Sequence, residues 1–271
     1  MRENELRKSS RLESPADEQQ LQADANNLIQ CMIANNSRLA LQSAHLSTLR
    51  AWCQLVIVFI ENCQMEAAHR ESFILQALQL VLSRLERSYA EDMETALLMV
   101  QLGRSLLQHS DLLTIHGGGV GIIDVTNDRY NQLFRNALVG IQHPDAAAPL
   151  REACCLICYD YLQRMSNSER SGSARIHALQ NVRATGGRLI EVLCDDAYAG
   201  EGPCRVAALL LLSAIIGISN QESTKEVLES LGRFNFVQVM VDNIRNISVE
   251  LQECQDSGKL GIKARHDDFV I

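Results

Sequence analysis

Amphipathic helix patterns follow one another along nearly the whole chain, with no alternating strand pattern between them. This feature constrains the fold most, because each helix carries an apolar stripe that must be covered by a neighbour. One such stripe is Leu46, Leu49, Trp52, Cys53, Val56, Ile57 and Ile60. A second runs through Phe73, Ile74, Ala77, Leu78, Val81, Leu82 and Leu85, and a third through Met93, Ala96, Leu97, Val100, Leu106 and Leu107. Tyr130, Leu133, Phe134, Ala137, Leu138 and Ile141 form the next, followed by Leu150, Ala153, Cys154, Ile157, Cys158, Tyr161, Leu162 and Met165. An earlier helix is expected from Pro15 to about Asn36, with Leu21, Leu28, Ile29 and Met32 on its apolar face. Later ones carry Val227, Leu228 and Leu231, then Phe236, Val237, Met240, Val241 and Ile244.

The punctuation is equally legible. Residues 116–121 hold four glycines, each costing about 1 kcal/mol in a helix interior, so the helix is expected to stop there and resume after Asn127. A helical segment from Ala174 to Ala197 is expected to be interrupted at Gly186-Gly187. Gly202-Pro203 opens the most apolar helix, and its run from Val206 to Ile218 falls short of the ~20 residues a membrane span needs. The expectation is a helix buried on all sides. Breaks are short and each helix has one dominant apolar face. The pattern therefore points to antiparallel helix pairs in a row, with a compact bundle as the competing arrangement.

Charge removes two classes of function. The formal net charge is -8, the opposite of what phosphate neutralisation or docking on an anionic bilayer requires. The nine cysteines lie mostly inside helix patterns, and the charged N-terminal sequence is no secretory signal, so they read as free thiols in a reducing compartment. Asn35-Asn36-Ser37 and Asn246-Ile247-Ser248 match the glycosylation pattern, which carries no meaning without secretion.

Candidate catalytic features fail in detail. A dinucleotide fingerprint from Gly117 would need glycine where Ile122 stands, and one from Gly119 would need it at Asp124. Cys155-Leu156-Ile157-Cys158 lacks both a second pair for zinc and an α/β context for redox work, and Cys154 and Cys158 lie on the apolar stripe. His109-Ser110-Asp111 are adjacent and cannot converge as a triad. The seven histidines form no i, i+4 pair. No catalytic, metal-binding or cofactor-binding residue is assigned, no cofactor is expected, and the chain is expected not to be an enzyme. Trp52 is expected in the core, and Arg84, Glu86 and Arg87 on a solvated face. Phe234 and Phe236, two apart, point to different sides of a helix. One of them is left for a partner or for ordinary loop packing.

Several separated segments, in order, carry a resemblance. They are Ala51 to Leu55 (AWCQL), Ser72 to Leu78 (SFILQAL), Asn127 to Arg135 (NDRYNQLFR) and Leu231 to Ile244 (LGRFNFVQVMVDNI) with Asn246-Ile247. Together they resemble the C-terminal tail of the largest inner-ring scaffold nucleoporins, over residues 40 to 254. The resemblance implies a superhelical scaffold related in shape to nuclear transport receptors, and a chain corresponding to the C-terminal end of much longer family members. It implies a structural role, holding the inner ring together by binding short segments of linker nucleoporins. The tail is implicated in docking a linker nucleoporin that also recruits the coiled-coil channel complex. The triple-glycine loop and the polar stretch 166–188 depart from the family pattern, and no motif transfers a binding residue.

Pattern and resemblance together lead to an all-α fold, a right-handed α-solenoid of irregular HEAT/armadillo-like antiparallel helix pairs. Residues 15–254 are expected in the solenoid, with flexible loops near 110–126 and 166–173, a flexible tail at 1–14 and a polar tail at 255–271. The expected partners are other nucleoporins, especially linker nucleoporins with short binding segments, in a large assembly at the nuclear pore complex of the nuclear envelope. No direct nucleic-acid contact and no transmembrane segment are expected. The alternative is a general HEAT/armadillo-like adaptor in transport or signalling, which would favour a basic or asparagine-lined groove. An all-helical enzyme would require clustered titratable groups in a deep pocket.

Overall fold

The computed structural model describes residues 46–62, 67–110, 120–167, 172–185, 187–200 and 202–218, together with isolated positions between 225 and 249. All regular structure among the described residues is helical. Eight helices are bounded in it: α1 Leu46–Asn62, α2 Ala67–Glu91, α3 Met93–His109, α4 Val120–Gln142, α5 Ala148–Asn167, α6 Gly172–Ala184, α7 Arg188–Ala199 and α8 Gly202–Ile218. The expected helix at 15–36, the glycines at 117–119, Phe234, Phe236 and both tails lie outside the described residues.

The apolar stripes dictate how these rods pair. The helix α2 passes into α3 through the single residue Asp92, whose carboxylate accepts from the Thr95 backbone N–H and caps α3. A one-residue link between packed helices forces them antiparallel. The α4–α5 and α7–α8 pairs are joined almost as tightly, by 143–147 and by 200–201. These hairpins stack in two layers. One layer is α1, α3, α5 and α8, each packed on the next; the other is α2, α4 and then the short helices α6 and α7. Contacts run between neighbours in the stack, and neither α1 nor α2 has a substantial interface with α7 or α8. The described array is therefore open rather than closed into a bundle.

One hydrophobic core runs along the stack from Leu49 to Leu231. Every apolar residue expected on the α2, α4 and α5 stripes is buried, including Phe134, whose ring stacks on Tyr161 at 4.9 Å across the α4–α5 hairpin. Phe59 of α1 meets Phe73 of α2 edge-on at 5.5 Å. Leu80, Met99, Leu102 and Cys155 are also fully buried, so these stripes are wider than a single line of positions. In the α2–α4–α5 junction the Tyr89 hydroxyl donates to the Asn136 carbonyl oxygen at 3.1 Å and lies 3.8 Å from the Cys154 sulfur. Gly140 makes that approach possible, because a Cβ there would sit 2.6 Å from the Tyr89 oxygen and 2.7 Å from Cys154 Sγ.

Three expectations are corrected. The helix after the glycine-rich segment begins at Val120 and includes Gly121, well before Asn127, so residues 120–126 are helix rather than loop. The first turn has no intrahelical partners for its N–H groups, so glycine costs less there than in a helix interior. Similarly, α5 runs to Asn167 and α6 starts at Gly172, so helix enters both ends of the expected 166–173 loop. Finally, α8 is not buried on all sides. Val206, Leu209, Leu210 and Ile216 are half-buried and Ser213 and Gly217 are exposed, because its described neighbours α5, α7 and α6 cover only part of its circumference. The interruption expected at Gly186-Gly187 is present between α6 and α7, and Gly187 adopts φ +85°, a left-handed conformation that glycine enters without Cβ strain.

Candidate docking surface

Most residues singled out from the sequence prove to be interior packing. Cys53, Cys154, Cys155, Cys158, Cys194 and Cys204 are free and buried. Burial pushes the thiols of Cys53 and Cys154 up to about 12 and those of Cys194 and Cys204 up to about 11. Cys155 and Cys158 are raised well above the ordinary thiol value for the same reason. The Cys155–Cys158 pair thus lacks the low-pKa, accessible environment a reactive thiolate needs. Trp52 is core, 4% exposed. His109 turns back on its own helix, with Nδ1 2.9 Å from the Ser105 carbonyl oxygen; Ser110 is buried, and Asp111 lies outside the described residues. Among the described residues no group of three or more His, Cys, Asp or Glu side chains converges to hold a metal. No helix among them is long and apolar enough to cross a membrane.

Charged side chains act mainly between helices. Asp92 accepts from Arg50 at 2.6 Å and from the Thr95 hydroxyl, while Arg50 also reaches Thr95 Oγ1 at 3.0 Å and pairs with Glu94. The Thr95 hydroxyl bond, with Arg50 beside it, holds the Asp92 carboxyl below its ordinary range against the opposing effect of burial. Arg104 and Gln108 of α3 both donate to Asp160 of α5, at 2.7 and 2.9 Å. Arg151 of α5 donates to Asp196 of α7 at 2.9 Å. Arginines also cap helix ends: Arg164 donates to the Ser110 and Gln108 carbonyl oxygens of α3, and Arg175 to those of Met165 and Ser166 of α5. Sequence reading missed these partnerships because the residues are far apart in the chain.

What the stack leaves outward is apolar in places. Leu55 and Val58 lie one turn apart on the solvent side of α1, at 40% and 58% exposure. Val139 on α4, Ile176 on α6 and Tyr198 on α7 are exposed singly. Beyond Asn235, a turn residue at φ 52°, Val237 and Val241 are helical positions four residues apart and both exposed, with Val249 exposed further on. The expected stripe of Phe236, Val237, Met240, Val241 and Ile244 put Val237 and Val241 on a covered face, and their exposure corrects that expectation: an exposed aliphatic looks the same in sequence as a buried one. Chemically, such exposed aliphatic residues can bury apolar side chains from another chain.

Residues 2–266 match the family model for nuclear pore complex scaffold nucleoporins 186/192/205. Nucleoporin NUP192 of Chaetomium thermophilum is 26% identical over 268 residues, in an alignment that takes in 88% of this chain and 15% of the relative. The matched region is the C-terminal part of that relative, so the chain spans about 15% of the length of the curated relative it matches. The family is one of structural proteins. The chain therefore belongs to the nuclear pore complex scaffold nucleoporins 186/192/205, proteins of the nuclear pore at the nuclear envelope.

Proposed function

We propose that the chain is an inner-ring segment of the pore scaffold that captures short segments of linker nucleoporins in grooves between its stacked helices, and so supports nucleocytoplasmic transport. On this reading the described layers continue as a right-handed α-solenoid through residues 15–254. The observation that carries the proposal is the open two-layer stack, whose outward helices retain aliphatic residues such as Leu55, Val58, Val237 and Val241. A linker helix laid across such residues gains about 1.5–3 kcal/mol for each aliphatic anchor it buries, before ordering costs. Three or four anchors suffice for useful affinity. Repetition around a ring then strengthens modest contacts by avidity. Family membership in a pore scaffold supports other nucleoporins as the partners.

The test is calorimetry or pull-down with linker-nucleoporin peptides and the full chain. Binding in the micromolar range or tighter, weakened by Val237→Asp or Leu55→Asp, supports the reading. Failure of every such peptide to bind at concentrations well above micromolar removes it.

A further inference from the structure

The shortest of the eight bounded helices is α7, 12 residues from Arg188 to Ala199, and a left-handed glycine stands near each of its ends. Gly187 precedes it at φ +85°, and Gly202, shortly after it, stands at φ +44°. A Cβ built on either glycine meets no atom within 4 Å, so neither is there to let two surfaces approach. What they share is the left-handed backbone, which glycine enters and leaves at little cost. Gly140 is the opposite case, since its neighbours fill the space a side chain would need. A few residues of this kind at the ends of a rigid element absorb the dihedral change when that element moves.

Between these joints the hold on α7 is modest. A helix this short is marginal by itself, so it depends on what it packs against, chiefly α8 and α4. Its buried side is Leu189, Ile190, Leu193, Cys194, Asp196 and Ala197. One of these is a carboxylate, 7% exposed, which accepts from Arg151 Nε of α5 at 2.9 Å. The one aromatic side chain of α7, Tyr198, lies outside. A covered ion pair gives back much of its Coulombic gain as lost hydration. Detaching α7 returns Arg151 and Asp196 to water, which offsets part of the cost of separating its apolar contacts. The neighbouring α8 has no such offset, because its buried side is aliphatic residues and one cysteine.

We infer that α7 is a gate, which swings off the stack as one piece about Gly187 and Gly202 at a cost well below that of unfolding the chain, and so uncovers the apolar surfaces of α4 and α8 beneath it. The Arg151–Asp196 pair is its latch. Cys194, in the middle of the buried side, reports the opening, since it is 3% exposed while the gate is shut. The gate rests on the fold and not on the peptide-capture reading, and either can fail without the other.

Amide exchange and iodoacetamide labelling of the full chain, both read by peptide mass, test it. In the parent, the α7 amides are expected to exchange together, about tenfold or more faster than those of α5. Cys194 is expected to label with a much weaker dependence on low urea than Cys154, because a local opening exposes less surface than global unfolding. Asp196→Asn releases the latch and is expected to speed α7 exchange and Cys194 labelling by about tenfold, with Cys154 unchanged. Phe134→Ala, in the α4–α5 hairpin, is expected to speed Cys154 and to leave Cys194 as in the parent. The inference is overturned by α7 amides that exchange no faster than those of α5, by Cys194 and Cys154 labelling with the same urea dependence, or by Asp196→Asn changing both cysteines alike or neither.

Discussion

The central hairpins and the α6–α7 region solve the same problem differently. In the centre, the 25-residue α2 and the 23-residue α4 each run in one piece, and the stripe residues from Phe73 to Leu85 and from Tyr130 to Ile141 are buried. Further on, the same layer is divided at Gly187 into helices of 13 and 12 residues. The shorter helices leave Ile176 and Tyr198 outside at 56% and 61% exposure. Part of the hold on α5 there passes to the Arg151–Asp196 pair. Directional polar contacts join helices in both regions, Arg104 and Gln108 to Asp160 in the centre and Arg151 to Asp196 in the divided one, so the difference lies in how much apolar surface the helices cover.

That contrast can be broken in order of effect. Phe134→Ala opens a cavity in the centre and is expected to lower stability by about 3–5 kcal/mol in urea unfolding; a loss below about 1 kcal/mol would show that the centre is loosely packed after all. Asp196→Ala leaves Arg151 without its carboxylate and is expected to cost about 1–3 kcal/mol. If it proves neutral, the polar pair carries no load in the divided region. Gly140→Ala drives a methyl group against Tyr89 and Cys154, for a net loss of about 1–2 kcal/mol after the gain of about 1 kcal/mol in helix propensity; thermal melts that rise instead would refute the close approach.

Asp92→Asn keeps a cap but removes the charge, and its effect depends on pH. The folded-state pKa of Asp92 is depressed, so the stability contributed by its ionised form is present above about pH 4 and is lost as pH falls through that range toward the lowered folded value. Urea midpoints of variant and parent are therefore expected to differ at pH 7 and to converge in acid; a constant difference across pH would assign the effect to something other than this carboxylate. At the small end, Ile176→Ser on the divided region should change stability by no more than about 0.5 kcal/mol, and a larger loss would mean that this side chain is covered.

Helix order and core membership were legible because burial imposes a period on the sequence. Tyr130, Leu133, Phe134, Ala137, Leu138 and Ile141 recur every three or four residues and all six are buried. Cys154 and Cys158 read as interior for the same reason. The break at Gly187 was visible because glycine alone enters that backbone region cheaply. The α4 start at Val120 was not, since a helix's first turn obeys weaker rules than its interior.

The sequence by itself determined that the described part of this chain folds as a succession of helices and, for α2, α4 and α5, which face turns inward, because those properties depend on residues three or four apart. Only the tertiary structure decided which stripe meets which, that α8 keeps part of its apolar surface half-covered, and that Arg50, Arg104 and Arg151 pair with carboxylates 42, 56 and 45 residues away. Those choices depend on three-dimensional neighbours, and no local period along the chain encodes them.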